Sequence, residues 1–495
     1  MSSVSSNSRV VVEPWRGAGA ADAAAALRDR PRLAWVDSSM ADARLGRWSI
    51  VASDPRWALT AYGTDVVLEA ADGPRRLAPG ALHALARAVE DEPCAVLAAS
   101  ALDGAPDSVP DLPFLGGAIG VLGFELGREV ERLPATTRDD VGAPDLAFGW
   151  YDAALVWDGA RDEGWLVGRV EAVRALRARL TQGSRTSPRP ASAGVLRSNM
   201  TRTAYLDAVE RARRYIAAGD IYQVNLAQRF SAPYGGSGFD LYRQLRSVSP
   251  APFAAYLDLR GDFGGVEVLS SSPERFLLAD GDRLETRPIK GTRPRGATPA
   301  EDAREIAELR GSVKDRAEHL MIVDLERNDL GRVAATGTVR VPEFAALETY
   351  AQVHHLTSTV EARRRQGVGL EALLRATFPG GSISGAPKIR ALEIIDELEP
   401  TVRGVYTGAI GYVSARRAPE DWRLDLNIAI RTITLADGVA HLHVGGAIVH
   451  DSDPESEYVE TLDKARGMAR ALGVALPDEA GAPSAAPAST STARS

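Results

Sequence analysis

The sequence predicts a mixed α/β (α+β) protein, and three observations predict it. Short apolar runs broken by Gly and Pro fill the first third of the chain, as in RLAWVDSS (32–39), RWSIVAS (47–53), GGAIGVLGFE (116–125) and WYDAALVWDG (150–159). This is the pattern of strands joined by turns. From Ser198 onward similar runs alternate with helical periodicity. The apolar and charged fractions, 45% and 25%, are those of a soluble globular protein. At 495 residues the chain outgrows one ordinary core, which predicts more than one domain.

In chain order, residues 9–180 read as an N-terminal domain of strands closed by the helical stretch EAVRALRARL. Residues 181–197 are Pro-, Ser- and Gly-rich without periodicity and read as a linker. Residues 198–474 form the second domain. Its first helix has Thr201 as N-cap, Tyr205, Val209 and Ile216 on one face and Gly219 at its end. FAAYLDL, VEVLSSS and LNIAIRTIT read as strands, and residues 299–330 and 387–398 as long helices. The tail 478–495 has too few apolar residues to fold and is expected to be disordered.

Bulk properties exclude several functions. Net charge is −8 with both signs interspersed, which leaves no electrostatic footprint for nucleic acid or an anionic membrane. The single cysteine, Cys94, rules out an internal disulfide or a cysteine metal cluster. The start of the chain lacks the basic and apolar regions of a secretory signal, and no apolar run approaches the roughly 20 residues of a bilayer span. A cytoplasmic protein is expected.

Chemistry concentrates in the second domain. Asp315 and Glu318 are three apart on a helical segment, as are Glu457 and Glu460, with Lys464 four residues further along the same face. Carboxylates from two helices suit Mg²⁺, although the same spacing describes solvated helix faces. FPGGSISGAPK (378–388) gathers Gly380, Gly381, Ser382, Ser384 and Gly385 before Pro387, which is placed as a first helical residue. Such a start favours an anion, but Ala386-Pro387 stands where an ATP-binding loop needs Lys-Ser/Thr. Glu274 and Lys290 offer an acid and an amine nucleophile, or a surface ion pair. His354 and His355 are adjacent on an extended segment, so they point to opposite faces and do not chelate one metal. Gly445 and Gly446 lie inside a strand pattern, where glycine marks close approach of backbone or ligand.

Together these segments resemble the chorismate-binding enzymes. The likeness is carried by IYQVNLAQRF (221–230), SSPERF (271–276), TRPIKGTRPRG (286–296), DRAEHLMIVDLERNDLGRV (315–333), VHHLTS (353–358), FPGGSISGAPKIRALEIIDELEP (378–400), GAIGY (408–412), IAIRT (428–432), GGAIV (445–449) and EYVETLDKA (457–465). WVDSSMADARLGRWSIVASDP (35–55) and GGAIGVLGFE extend it to the component I N-terminal domain. The resemblance implies a two-lobed architecture with a β-rich core flanked by helices. It implies Mg²⁺ on Glu318 and Glu460 directly and on Asp315 and Glu457 through waters. Arg431, Lys464, Tyr406, Gly445 and Gly446 would bind the substrate's carboxylates, with Ser382, Thr292, Gln223 and His355 lining the same pocket.

Within the family, members that add water to chorismate carry a lysine base where this chain has Gln223, and a neutral amide cannot deprotonate water. Anthranilate-forming members read PIAGT where this chain reads PIKGT. Lys290 therefore points to the branch that places ammonia on carbon 4, forming 4-amino-4-deoxychorismate for 4-aminobenzoate and folate or a related secondary metabolite. Lys290 would be the nucleophile and Glu274 the acid. Cys94 lacks the context of a glutaminase nucleophile, so a separate glutamine amidotransferase subunit is the expected ammonia source, with a downstream lyase that makes no stable contact. The alternatives are an anthranilate synthase component I and, from another class, a non-catalytic chorismate-binding regulatory subunit. WVDSS departs from the LLES-type motif of tryptophan-regulated members, so that regulation is not expected.

Overall fold

The computed structural model describes residues 9–40, 45–97, 111–183, 191, 193–261, 264–350 and 353–477. Residues 184–190 and 192 of the expected linker and the whole expected tail therefore lie outside the described residues.

Among the described residues the strands form two large sheets, one of 13 strands and one of 12, and both run through the two halves of the sequence. In the first, strands Gln223–Pro233, Val439–Ile448, Thr432–Ala436, Val266–Ser272 and Phe253–Leu259 continue directly into Ala34–Asp37, Trp48–Ala52 and Ala153–Asp158. In the second, Arg275–Asp280, Arg423–Ile428 and Ala409–Ser414 continue into Gly117–Leu122 and Leu146–Tyr151. Residues 9–180 and 198–474 are thus sequence segments that share their sheets.

Period-two alternation explains the layering. In the second strand, Ala34 packs between the two sheets, whereas Trp35 faces the helical layer over the 13-stranded sheet. Ile50 and Ala52 likewise face the inter-sheet core and Val51 the helices. Trp35 is fully buried against Tyr242 (5.2 Å, edge-on) and Phe239 (6.2 Å). Truncating it to Ala would cost about 3–5 kcal/mol through lost burial and the cavity left behind.

Three local expectations change in the structure. The stretch 299–330 is two helices, Pro299–Gly311 and Val313–Gly331, because Ser312 stops the first and its hydroxyl caps Asp315 N–H of the second at 3.1 Å. LNIAIRTIT is not one strand: Arg423–Ile428 belongs to the 12-stranded sheet and Thr432–Ala436 to the other. Apolar alternation continues across this corner, so it is invisible to periodicity. Pro387 is the N-cap of helix Lys388–Leu398 rather than its first residue, with ψ at 142°. Thr201 and Gly219 do bound helix Arg202–Ala218, Gly219 in the left-handed region at φ 85°. No described helix is long and apolar enough to cross a membrane.

Candidate active site

The site forms where the chain crosses between the sheets twice. Strand Val266–Ser272 lies in the 13-stranded sheet and its successor Arg275–Asp280 in the other, so Glu274 sits on the crossing. Arg431 sits on the reverse crossing. The two are tied together: Ile428 N–H donates to Glu274 O at 3.0 Å and Ser271 N–H to Arg431 O at 3.1 Å. Arg431 has φ 50°, a left-handed conformation that costs a non-glycine residue about 1–3 kcal/mol.

Glu274 is 5% exposed. Burial raises its carboxyl above the ordinary range, against Ser382, Lys290, the Ile289 amide and Arg431, which favour the anion. Burial also depresses Arg431, with Glu274 acting the other way. Ser382 lies beside the Glu274 carboxyl on the loop before helix Lys388–Leu398, though its buried hydroxyl has no well-formed hydrogen bond. That loop is wedged tightly: a Cβ on Gly381 would fall 2.9 Å from Leu325 Cδ2 of helix Val313–Gly331.

Lys290 occupies the second position of strand Ile289–Pro294 and places its Nζ 2.9 Å from Glu318 Oε1. Burial works against the ammonium, but Glu318, then Glu274 and Glu460, outweigh it and raise its pKa. On the next strand His355 bonds Thr292 Oγ1 through Nδ1 at 2.8 Å, while its buried Nε2 has no partner. Burial, and then Arg431, push it down to about 3, so it is neutral. His354 points the other way, to Asp302 at 2.9 Å. Gln223 is fully buried, and both its side-chain oxygen and nitrogen lack partners.

Glu457 and Glu460 project from the first turns of helix Pro454–Leu472 towards Gly446. A Cβ there would lie 3.1 Å from Glu457 Oε2 and 3.6 Å from Glu460 Oε1, so glycine leaves room for both carboxylates. Lys464 bridges Glu460 Oε1 (2.6 Å) and Gly445 O (2.9 Å), and Lys464 is the leading influence holding Glu460 below the ordinary carboxylate range. Glu457 accepts from Ser452 Oγ at 2.6 Å, and burial raises its pKa. Asp315 turns instead to Arg293 Nη2 at 3.2 Å. Tyr406 is buried and stacks on His443 at 5.2 Å and 12°. Sequence reasoning missed Lys314, 4.0 Å from Glu457, and Ser452. Both could have been found: Lys314 precedes Asp315 on the same helical turn, and Ser452 immediately precedes the N-cap Asp453.

Among the described residues no three His, Cys, Asp or Glu side chains gather closely enough to hold an ion unaided. The donor chemistry nevertheless fits a small hard cation. Glu318 and Glu460 both act on Lys290, and Glu457 and Glu460 converge over Gly446. Lysine ammonium groups supply the countercharge that a divalent ion would supply. A cavity of about 610 Å³ lies elsewhere, between the sheets around Asp37, Arg47, Trp48 and Phe253, and contains none of the candidate residues.

With this geometry in place, comparison with known proteins is informative. The family profile described as chorismate binding enzyme matches residues 40–470. The chain is 41% identical over 465 residues to aminodeoxychorismate synthase component 1 of Escherichia coli strain K12, covering 94% of this chain and 98% of that protein. It is 45% identical over 376 residues to anthranilate synthase component 1 of Thermus thermophilus, covering 74% and 79%. The crystal structure of anthranilate synthase component I from Streptococcus pneumoniae TIGR4 superposes with a TM-score of 0.70 at 31% identity, over 87% of this chain and 93% of that one.

Proposed function

This chain belongs to the chorismate-binding enzymes, and we propose that it is the component I of an aminodeoxychorismate synthase, converting chorismate and ammonia to 4-amino-4-deoxychorismate. The observation that carries the reading is the Lys290 amine, on a side chain 12% exposed, which shares its surroundings with Glu274 and Glu318.

In the proposed reaction Lys290 Nζ, as the free amine, bonds to C2 of chorismate. The ring double bonds shift, the C4–oxygen bond breaks, and Glu274 gives its proton to the departing hydroxyl, which leaves as water. Ammonia then bonds to C4, the double bonds shift back, and the C2–Nζ bond breaks. Glu274 recovers a proton from the new ammonium group. Two allylic displacements replace one awkward substitution. At rest Glu318 holds Lys290 as an ammonium, so before attack the 2.9 Å pair has to loosen and Nζ has to give one proton to solvent water, which it regains after the C2–Nζ bond breaks. Arg431, Lys464, Tyr406 and the Gly445–Gly446 backbone would hold the substrate's carboxylates. Gln223, Ser382, Thr292 and His355 would orient the ring and exclude water. Gln223 supplies no base for water, which favours amination over hydration.

Glu318 and Glu460 would hold Mg²⁺ directly, Glu457 through water, and Asp315 likewise once released from Arg293. The ion would supply a fixed positive charge for the substrate's ring carboxylate. Removing it with a chelator should abolish turnover, and adding Mg²⁺ should restore it. We place the protein in the cytoplasm with a separate glutamine amidotransferase subunit as ammonia source. Mixing with that subunit should make turnover glutamine-dependent; neither association nor glutamine dependence would refute the partner. Anthranilate synthesis is the second reading, favoured by the 45% identity to the Thermus enzyme. Mass spectrometry of the product from chorismate, Mg²⁺ and ammonium chloride separates the two. 4-Amino-4-deoxychorismate supports the proposal, and anthranilate overturns it.

A further inference from the structure

Next to three of the residues proposed to bind substrate lies a buried ion pair that the proposed chemistry does not use. Arg403 is 3% exposed and Glu399, four residues earlier and just past the end of helix Lys388–Leu398, 5%. Every N–H donor of the guanidinium is engaged. Nε and Nη2 donate to the two Glu399 carboxylate oxygens at 3.0 and 2.6 Å. Nη2 also donates to Asn225 O at 2.9 Å, and Nη1 to Ile383 O at 3.1 Å and Thr407 Oγ1 at 3.2 Å.

Each of the last three partners adjoins a pocket residue. Ile383 follows Ser382 on the glycine-rich loop. Asn225 lies two residues beyond Gln223 on strand Gln223–Pro233, and its own amide donates to Ser382 O at 2.8 Å. Thr407 follows Tyr406 and has φ 60°, a strained conformation for a β-branched residue. Glu399 adds a further tie to the same strand by accepting from Ala227 N–H at 2.9 Å. The hub is itself anchored from the other half of the sequence. Glu125 accepts from the backbone of Arg403 and Gly404 at 3.0 and 2.9 Å, and the Phe124 ring centroid lies 4.6 Å from the guanidinium. A buried pair is by itself weak evidence for stability. Here its remaining hydrogen bonds all run to the segments that carry Ser382, Gln223 and Tyr406.

We propose that Arg403 is a positioning residue of the substrate pocket: held by Glu399, its guanidinium fixes the Ser382 loop, the Gln223 strand and the Tyr406 turn relative to one another. It does not touch the reacting atoms. The inference rests on reading this pocket as the chorismate site. A lysine at 403 keeps the charge but offers three donors on one nitrogen and no planar fork, so it cannot hold Glu399 and all three segments together. Displacements of about 1 Å in such a site cost on the order of 100-fold in rate.

The test uses the full chain with chorismate, Mg²⁺ and ammonium chloride, reading kcat and KM for chorismate separately alongside circular dichroism and thermal midpoint. Arg403→Lys should lower kcat/KM on the order of 100-fold, with chorismate KM raised on the order of 10-fold. Thr407→Val removes one of the hub's bonds while keeping a β-branched residue, and should shift KM in the same direction by less. Folded variants within about threefold of wild type, or losses that track the thermal midpoint alone, would overturn the proposal. Should Arg403→Lys not fold, Thr407→Val decides the matter by the same criterion. The ratio of variant to wild type reads positioning whichever product forms, so a wrong assignment of the reaction is visible separately in the product's mass.

Discussion

The two sides of the pocket handle their polar groups in opposite ways. On the helix side, Glu318, Glu457 and Glu460 are matched by Lys290, Ser452 and Lys464. On the sheet side, Gln223, Ser382 Oγ and His355 Nε2 are buried without partners. A paired charge recovers part of its desolvation cost from its partner, whereas each unpaired buried polar atom costs about 1–3 kcal/mol with no return. Several such atoms together are what the proposed substrate-binding surface would present to a polar ligand. The helix side must exchange partners before it can work, and the sheet side is already arranged.

The largest effect is expected where the two sides meet. Lys290→Ala should reduce formation of 4-amino-4-deoxychorismate on the order of 10⁴-fold, measured by product chromatography under ammonium saturation. A residual rate within tenfold of wild type would mean the lysine is a charge partner only. Next is Glu274→Gln, which keeps the shape but cannot release a proton to the leaving hydroxyl; kcat should fall by about 10²–10⁴. Because burial raises the Glu274 pKa, its acid form persists below that value and is lost as pH rises through it. The wild-type kcat profile should show that alkaline loss and the Gln variant should not.

A smaller effect sharpens the contrast between the sides. Gln223→Leu removes two unpaired buried atoms, so it should raise stability by about 1 kcal/mol while raising chorismate KM roughly tenfold. Chemical denaturation and steady-state kinetics on one preparation check both; a fall in stability would show that Gln223 is satisfied in the resting protein. The smallest effect concerns a pair outside the pocket. Asp140 binds Arg229 through both oxygens, at 2.6 and 2.8 Å, and this holds its carboxyl down at about 2. Its folded pKa lies below the unfolded value, so the pair's stabilisation is present above about pH 4 and is lost as pH falls towards 2. Asp140→Asn should cost less than about 1 kcal/mol at pH 7, because solvent screens this part-exposed pair, and the gap to wild type should close in acid denaturation.

What was legible in the sequence was local. Carboxylates three apart on a helix, a threonine cap and a glycine stop are set by near neighbours, and Glu457, Glu460, Thr201 and Gly219 are placed accordingly. The mixed α/β class and the family follow from motif order, and the family profile covers residues 40–470. What was not legible depends on contacts distant in sequence. The corner at Arg431 looks like strand because Leu426, Ile428 and Ile430 keep alternating, and only the opposite sheet shows that the chain leaves. The two sheets running through both halves arise from pairings such as Leu257 with Ala34, which no window of sequence contains. The Arg403 hub escaped notice because its partners come from four separate segments.

One measurement bears most directly on covalent catalysis by Lys290. Wild-type protein in excess over chorismate, with Mg²⁺ and ammonium, is acid-quenched during a single turnover, digested, and the peptide carrying Lys290 is weighed by mass spectrometry. The account predicts a transient peptide heavier by chorismate less one water, with Lys290 as the modified residue, decaying as product forms. Full product formation with that peptide unmodified at every time point would contradict it.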